Sequence, residues 1–340
     1  MNPVALPPGR ARLSRGGAGV RYPLIVWSKS ALRMLVAPVA IAAVITLAGC
    51  GPDVRSAAEN RHIQPLSEQM LVELADKQMK KESPILVRIF KEESELEIWK
   101  KDASGRFALL RTYPICRWSG ELGPKIKTGD RQAPEGFYTI TPGLMNPNSS
   151  QYLAINTGFP NAYDRVNGRT GSFLMIHGGC SSAGCYAMTD EQIVEIYTLA
   201  REAFFGSQKS LQLQAYPFRM TPLNMARHRN SPHMPFWRMI KQGYDHFEVT
   251  HLEPKVDVCD KRYAFGAEST ENFSPAGPCP AYEVPDAVTA AVVQKQSQDD
   301  FDTTQLIIRG IATVPITTGQ DGGTNPSFLA AEKSESEPER

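Results

Sequence analysis

Phe173-Leu-Met-Ile-His-Gly-Gly-Cys-Ser-Ser-Ala-Gly-Cys-Tyr-Ala-Met-Thr-Asp190 decides how this chain is read, because it sets a histidine and two cysteines between an apolar run and a helix cap. The run Phe173 to Ile176 predicts a strand ending at His177, and Gly178-Gly179 lets the backbone turn sharply there. Thr189, followed three residues later by Gln192, has the pattern of a capping box and predicts a helix to about Phe205. Cys185 is therefore expected just before a helix N-terminus. There the macrodipole and the N–H groups of the Gly184 to Tyr186 turn would favour a thiolate and hold an oxyanion. Ser182 either donates a hydrogen bond near the thiol or simply suits the turn.

Among the six histidines, His177 is the economical general base. It would take the thiol proton, stabilise the thiolate as imidazolium and return the proton to a leaving amine. Two other readings stand beside this one. A buried structural histidine can sit next to an inert cysteine. His177, Cys180 and Cys185 also have zinc-type spacing with an open fourth position, although no fourth ligand is evident.

Outward from this stretch, runs of β-branched and aromatic residues at Ile85–Phe90, Leu96–Trp99 and Phe107–Tyr113 are separated by turn residues and predict a β-meander. Further strands are expected at Phe137–Ile140, Phe173–Ile176 and Leu211–Tyr216, and helices at Leu66–Lys81, Pro222–Arg229 and Pro235–Gln242. Beyond Thr250 a helix at Ala287–Gln296 and a strand at Gln305–Thr313 are expected. The Gly-, Ser- and Glu-rich residues 317–340 read as disordered.

The chain of 340 residues is long enough for one sizeable core, and its net charge of +1 argues against a nucleic-acid partner. Six basic residues between Arg10 and Arg33 precede an apolar stretch from Met34 to Ala48 and the lipobox Leu47-Ala-Gly-Cys50. The pattern predicts a lipoprotein signal peptide over 1–49, lipidation of Cys50, and a periplasm-facing, membrane-anchored protein at the outer membrane rather than the inner; an uncleaved anchor is the other reading. In that oxidising compartment Cys116, Cys180, Cys259 and Cys279 need partners. Cys259–Cys279 is the favoured pair and Cys116–Cys180 the next, while a Cys180–Cys185 bond would occupy the nucleophile.

The motif His177-Gly-x-Cys-x-Ser182-x-Gly184-Cys185 resembles the core of YkuD-domain L,D-transpeptidases. Ile115–Pro124, Gly129–Tyr138, Phe159–Arg165, Gly184–Asp190 and Tyr216–Pro222 resemble the YafK-like branch. The resemblance spans about Pro84 to Thr250. It implies a mixed α+β, strand-rich catalytic domain with flanking helices over 84–250, preceded by a tether and short helix over 50–83 and followed by an extension over 251–316. It implies a Cys185 nucleophile and a His177 base acting on peptidoglycan stem peptides at diaminopimelate, without cofactor or metal. Members of this branch are linked both to transpeptidation and to hydrolysis that releases a peptidoglycan-bound lipoprotein; a non-catalytic peptidoglycan- or metal-binding lipoprotein is the third reading. In the broader family the histidine lies further upstream, and an Arg or Asn often follows the cysteine where this chain has Tyr186-Ala187-Met188. Because such substrates carry carboxylates, Arg131, Arg165 and Arg169 are candidate binding cations, with Tyr163 and Asp164 orienting them. Solvated loop charges are the plainer account of those arginines.

Overall fold

The computed structural model describes residues 60–315 and 322–329. Helix α1 (Glu68–Asp76) is capped by Ser67, whose side chain accepts the Met70 N–H. Strands β1 (Ile85–Phe90), β2 (Glu95–Lys101) and β3 (Phe107–Pro114) form the expected meander, and β4 (Arg117–Trp118) leads through a long loop to β5 (Gly136–Ile140). Then follow β6 (Met145–Asn146), β7 (Ala154–Asn156), helix α2 (Ala162–Val166), β8 (Met175–His177) and β9 (Tyr186–Ala187). Helix α3 (Asp190–Phe205) precedes β10 (Leu211–Tyr216), helices α4 (Pro222–Arg227) and α5 (Met234–Thr250), the hairpin β11 (Val256–Cys259) and β12 (Arg262–Phe265), and helix α6 (Asp286–Ile308).

Two five-stranded sheets result. The first has the order β3-β2-β1-β10-β5 and the second β4-β9-β8-β7-β6. Both β1 and β10 are buried along their whole length and pair in parallel at the centre of the first sheet, Val87 opposite Leu213. The period of two divides their side chains between faces. Ile85, Val87, Ile89, Leu211, Leu213 and Ala215 pack with Ile193, Ile196, Leu199 and Ala203 of α3 and with Ile176 and Tyr186 of the second sheet. On the opposite face, Phe90 and Tyr216 pack with Trp237, Ile240 and Tyr244 of α5. Each fully buried aliphatic side chain contributes about 1.5–3 kcal/mol.

Several boundaries differ from expectation. The strand predicted at Gln305–Thr313 is absent: α6 continues through Leu306-Ile-Ile, a short apolar run that fits either period. Helix α6 is docked on α5 by a buried cluster in which Lys241 donates to Asp245 (2.7 Å) and Asp299 (2.6 Å), while Lys295 pairs with Asp299 (2.7 Å). The α5 helix begins at Met234 and runs to Thr250, well past Gln242, and the active strand is shifted to Met175–His177. Residues 322–329, expected to be disordered, instead lie against β4. No described helix is long and apolar enough to cross a membrane, and the signal segment and Cys50 lie outside the described residues.

Candidate active site

His177 and Cys185 come together through the parallel pairing of β8 with β9, in which Ile176 faces Tyr186 and His177 faces Ala187. Ile176 and Tyr186 point into the core between the sheets, so Met175, His177 and the preceding Cys185 share the other face. The sulfur of Cys185 accepts the Met175 N–H at 3.4 Å and donates to the Phe173 carbonyl at 3.7 Å. Phe173 itself has φ of +56° and is 74% exposed. His177 Nδ1 lies 2.6 Å from the Gly178 carbonyl. A carbonyl only accepts, so Nδ1 carries the hydrogen and Nε2 keeps its lone pair, the arrangement a general base needs.

The turn between them is held from within. Ser182 Oγ donates to the Cys185 carbonyl (2.8 Å), accepts the Cys185 N–H (3.1 Å) and the Gly184 N–H (3.4 Å), and meets Ser119 Oγ at 3.0 Å. Gly184 takes φ of +125°, a conformation that disfavours any side chain. Gly179 N–H is held by Asp190 (2.9 Å), Cys180 N–H by the Met188 carbonyl (3.2 Å) and Met188 N–H by the His177 carbonyl (2.7 Å). Cys180 forms a disulfide with Cys116, and Cys259 with Cys279, as the favoured pairings had it. Cys185 is the free cysteine among the described residues. Both the Cys180–Cys185 alternative and the three-ligand metal reading fall with this bond, because the Cys180 sulfur is already covalently used.

Several expectations for the site are corrected. Helix α3 begins at Asp190 with Thr189 as its cap, and a strand separates it from Cys185, so the thiol gains nothing from the macrodipole. Burial pushes the Cys185 thiol up, opposed by the Met175 N–H and by the charge of Lys125, and burial pushes His177 down. The resting pair is therefore neutral thiol and neutral imidazole. The Gly184 and Cys185 N–H groups are directed at Ser182 instead of outward, and the Tyr186 hydroxyl is spent on the Pro134 carbonyl (2.6 Å).

Arg169 is buried, paired with Asp164 at 3.0 Å and stacked over Tyr163 and Phe236. Tyr163 in turn stacks on Tyr263 at 4.5 Å. These residues fix α2 in the core and do not form a substrate clamp. Arg165 donates to the Pro160 carbonyl and lines a separate hollow of about 280 Å³ with Asn161, Gln212 and Tyr263. Arg131, at φ of +55°, does border the nucleophile turn: its backbone carbonyl carbon lies 3.9 Å from where a Cβ on Gly184 would sit.

Lys125 and the buried pair Lys91–Glu135 escaped the sequence reading. Lys125, almost fully buried, pairs with Asp130 and donates to the Lys127 carbonyl at 3.0 Å. The Lys-x4-Asp spacing within a Gly- and Pro-containing loop was a local signal for it. Lys91 donates to the carbonyls of Glu121 (2.6 Å), Gly123 (3.0 Å) and Ala133 (3.2 Å) and to Glu135 (2.9 Å). Glu135 also accepts from Gly123 N–H (2.7 Å) and Trp237 Nε1 (2.9 Å). Together they fix the loop that carries Lys125 and Arg131.

A model of the YkuD L,D-transpeptidase catalytic domain matches residues 86–205. The chain is 49% identical over 181 residues to "Putative L,D-transpeptidase YafK" of Escherichia coli K12, the match covering 53% of this chain and 73% of that protein; the same values hold for the counterpart in strain O157:H7. Among solved structures, the helical cell shape determining protein Pgp2 from Campylobacter jejuni is 22% identical, with a TM-score of 0.30, over 45% of this chain and 55% of that one. Bd1075 from Bdellovibrio bacteriovorus is 19% identical, with a TM-score of 0.27, over 40% and 49%. The chain thus spans about half the length of these two solved proteins. By the catalytic-domain match and the extent of its likeness to YafK, the chain belongs to the YkuD-domain L,D-transpeptidase family, in its YafK-like branch.

Proposed function

We propose that this protein is a periplasm-facing lipoprotein, anchored through Cys50, that transfers acyl groups of peptidoglycan stem peptides at the L-centre of diaminopimelate. The observation that supports the chemistry best is the placement of Cys185, the free thiol of the described residues, beside the strand carrying His177, whose Nε2 keeps its lone pair. Both groups rest neutral, so deprotonation accompanies attack: His177 takes the thiol proton as sulfur bonds to the carbonyl carbon. The carbon–nitrogen bond then breaks, the leaving amine recovers that proton, and a thioester remains on Cys185. An incoming amine restores an amide and makes the protein a transpeptidase. Water gives a free carboxylate and makes it the amidase that releases a peptidoglycan-linked lipoprotein. Arg131, on the loop that borders the nucleophile turn, suits a substrate carboxylate, while Lys125, held by Asp130, adds positive charge near the thiol.

Mass spectrometry of the purified full chain after incubation with stem peptides tests the first step. The wild type should gain the mass of an acyl group, and Cys185→Ala should not. New diaminopimelate cross-links in sacculi identify transpeptidation, and loss of a lysine-bearing remnant identifies the amidase. Equal products from both proteins would reject the thioester.

A further inference from the structure

The strand β4 that completes the catalytic sheet has only two residues and pairs on one side with β9, Trp118 opposite Tyr186. Its other side is taken by residues 322–325. Trp118 N–H donates to the Gly323 carbonyl (3.0 Å) and Gly323 N–H returns to the Trp118 carbonyl (3.1 Å), one antiparallel bridge. Asn325 N–H donates to the Ile115 carbonyl (3.0 Å), and its side-chain amide donates to the carbonyls of Ser94 (3.1 Å) and Glu93 (3.3 Å). The approach is so close that only glycine fits: a Cβ on Gly322 would lie 1.7 Å from the Trp118 carbonyl oxygen, and one on Gly323 2.6 Å from the indole nitrogen. Composition makes this Gly-, Ser- and Glu-rich tail read as disordered, yet two of its glycines are contact residues.

The residues that the segment grips on β4 are the immediate chain neighbours of those that hold the nucleophile turn. Cys116, between Ile115 and Trp118, is bonded to Cys180; Ser119 meets Ser182, which bonds both the N–H and the carbonyl of Cys185. We propose that residues 322–325 are a positioning strand of the active site, docked on the edge of β4 through Gly322, Gly323 and Asn325, and that their release displaces the Cys185 turn. A two-residue strand with one partner is marginal alone, and the added strand supplies the missing partner. The inference rests on Cys185 being the reactive thiol of the proposed function, but its test reads the thiol directly and not acyl transfer.

The test uses the full chain with Gly323→Val, which collides with the indole, and Asn325→Ala, which removes contacts without adding bulk. Hydrogen exchange at the Trp118 amide reports docking. The rate of Cys185 alkylation from pH 6 to 10, a range set about the ordinary thiol value of ~8.5, reports the thiol's environment. Release should unprotect the Trp118 amide, move the alkylation midpoint down toward the ordinary thiol value, and raise the rate at neutral pH about tenfold. A synthetic peptide of residues 319–329 should restore both readouts in Asn325→Ala. An unprotected amide with an unchanged alkylation profile would overturn the positioning role. A protected amide in Gly323→Val would overturn the docking itself. Should Cys185→Ala retain acyl transfer, the proposed chemistry would fail while these readouts kept their meaning.

Discussion

The two sheets of this protein are built on different principles. The first has strands of five to eight residues in long ladders, broken by one irregularity between β2 and β3 at Ile98/Trp99; β1 alone buries six consecutive residues. The second, which carries His177 and Cys185, has strands of two or three residues. So few ladder bonds do not hold a sheet by themselves. Side-chain and covalent ties take their place: the Cys116–Cys180 bond, Ser182 on the Cys185 backbone, Lys91–Glu135 under the facing loop, and the 322–325 segment at the edge. Burial makes the first sheet stable, and polar ties make the second well placed. The lesson is that stability and geometry can be damaged separately.

The largest effect that would sharpen this contrast is expected for His177→Ala, which should lower the rate of thioester formation by about 10²–10⁴-fold with little change in urea midpoint. A fall in rate matched by a loss of fold would break the contrast. Next comes Lys91→Met, which strands Glu135 without its cation in a fully buried place and should cost about 3–5 kcal/mol in chemical denaturation. It should also slow the enzyme at temperatures where the protein is still folded. Leu213→Ala in the first sheet should cost about 2–5 kcal/mol while leaving the rate per folded molecule unchanged. A rate loss there would show that the two sheets are mechanically coupled.

The smallest effect is pH dependence. Burial holds His177 below its usual value, so the folded state binds its proton less readily than the unfolded chain does. Stability should fall as pH drops below about 6.5, by well under the cost of the mutations above, and be indifferent to this group at higher pH. A thermal melt series of wild type against His177→Gln reads the difference; identical pH slopes would remove His177 from the account.

How much was legible in the sequence follows the same division. The meander of β1 to β3 and the Thr189–Gln192 cap were readable because β-branched and aromatic runs punctuated by turn residues, and capping chemistry, are local signals. The His177–Cys185 pair was readable because only eight positions separate the two residues. What failed was whatever depends on distant partners. Arg169 looks like a loop cation until Asp164, Tyr163 and Phe236 enclose it, and Lys91 is an unremarkable residue after a strand until Glu135 meets it. Cys185 was expected to gain from a helix terminus that a short strand, too brief to show periodicity, keeps away from it.

The parallel contact between β1 and β10 also sets a clock. Val87 meets Leu213 only after the chain has gone out through the whole catalytic sheet and returned through α3. Loop-closure entropy must be met before that pairing returns any stabilisation, and native contacts so distant in sequence slow folding. A chain emerging N-terminus first therefore holds β1 to β3 as a meander with one unpaired flank until residue 216 arrives. During that interval the flank of β1 is open to a strand from another molecule.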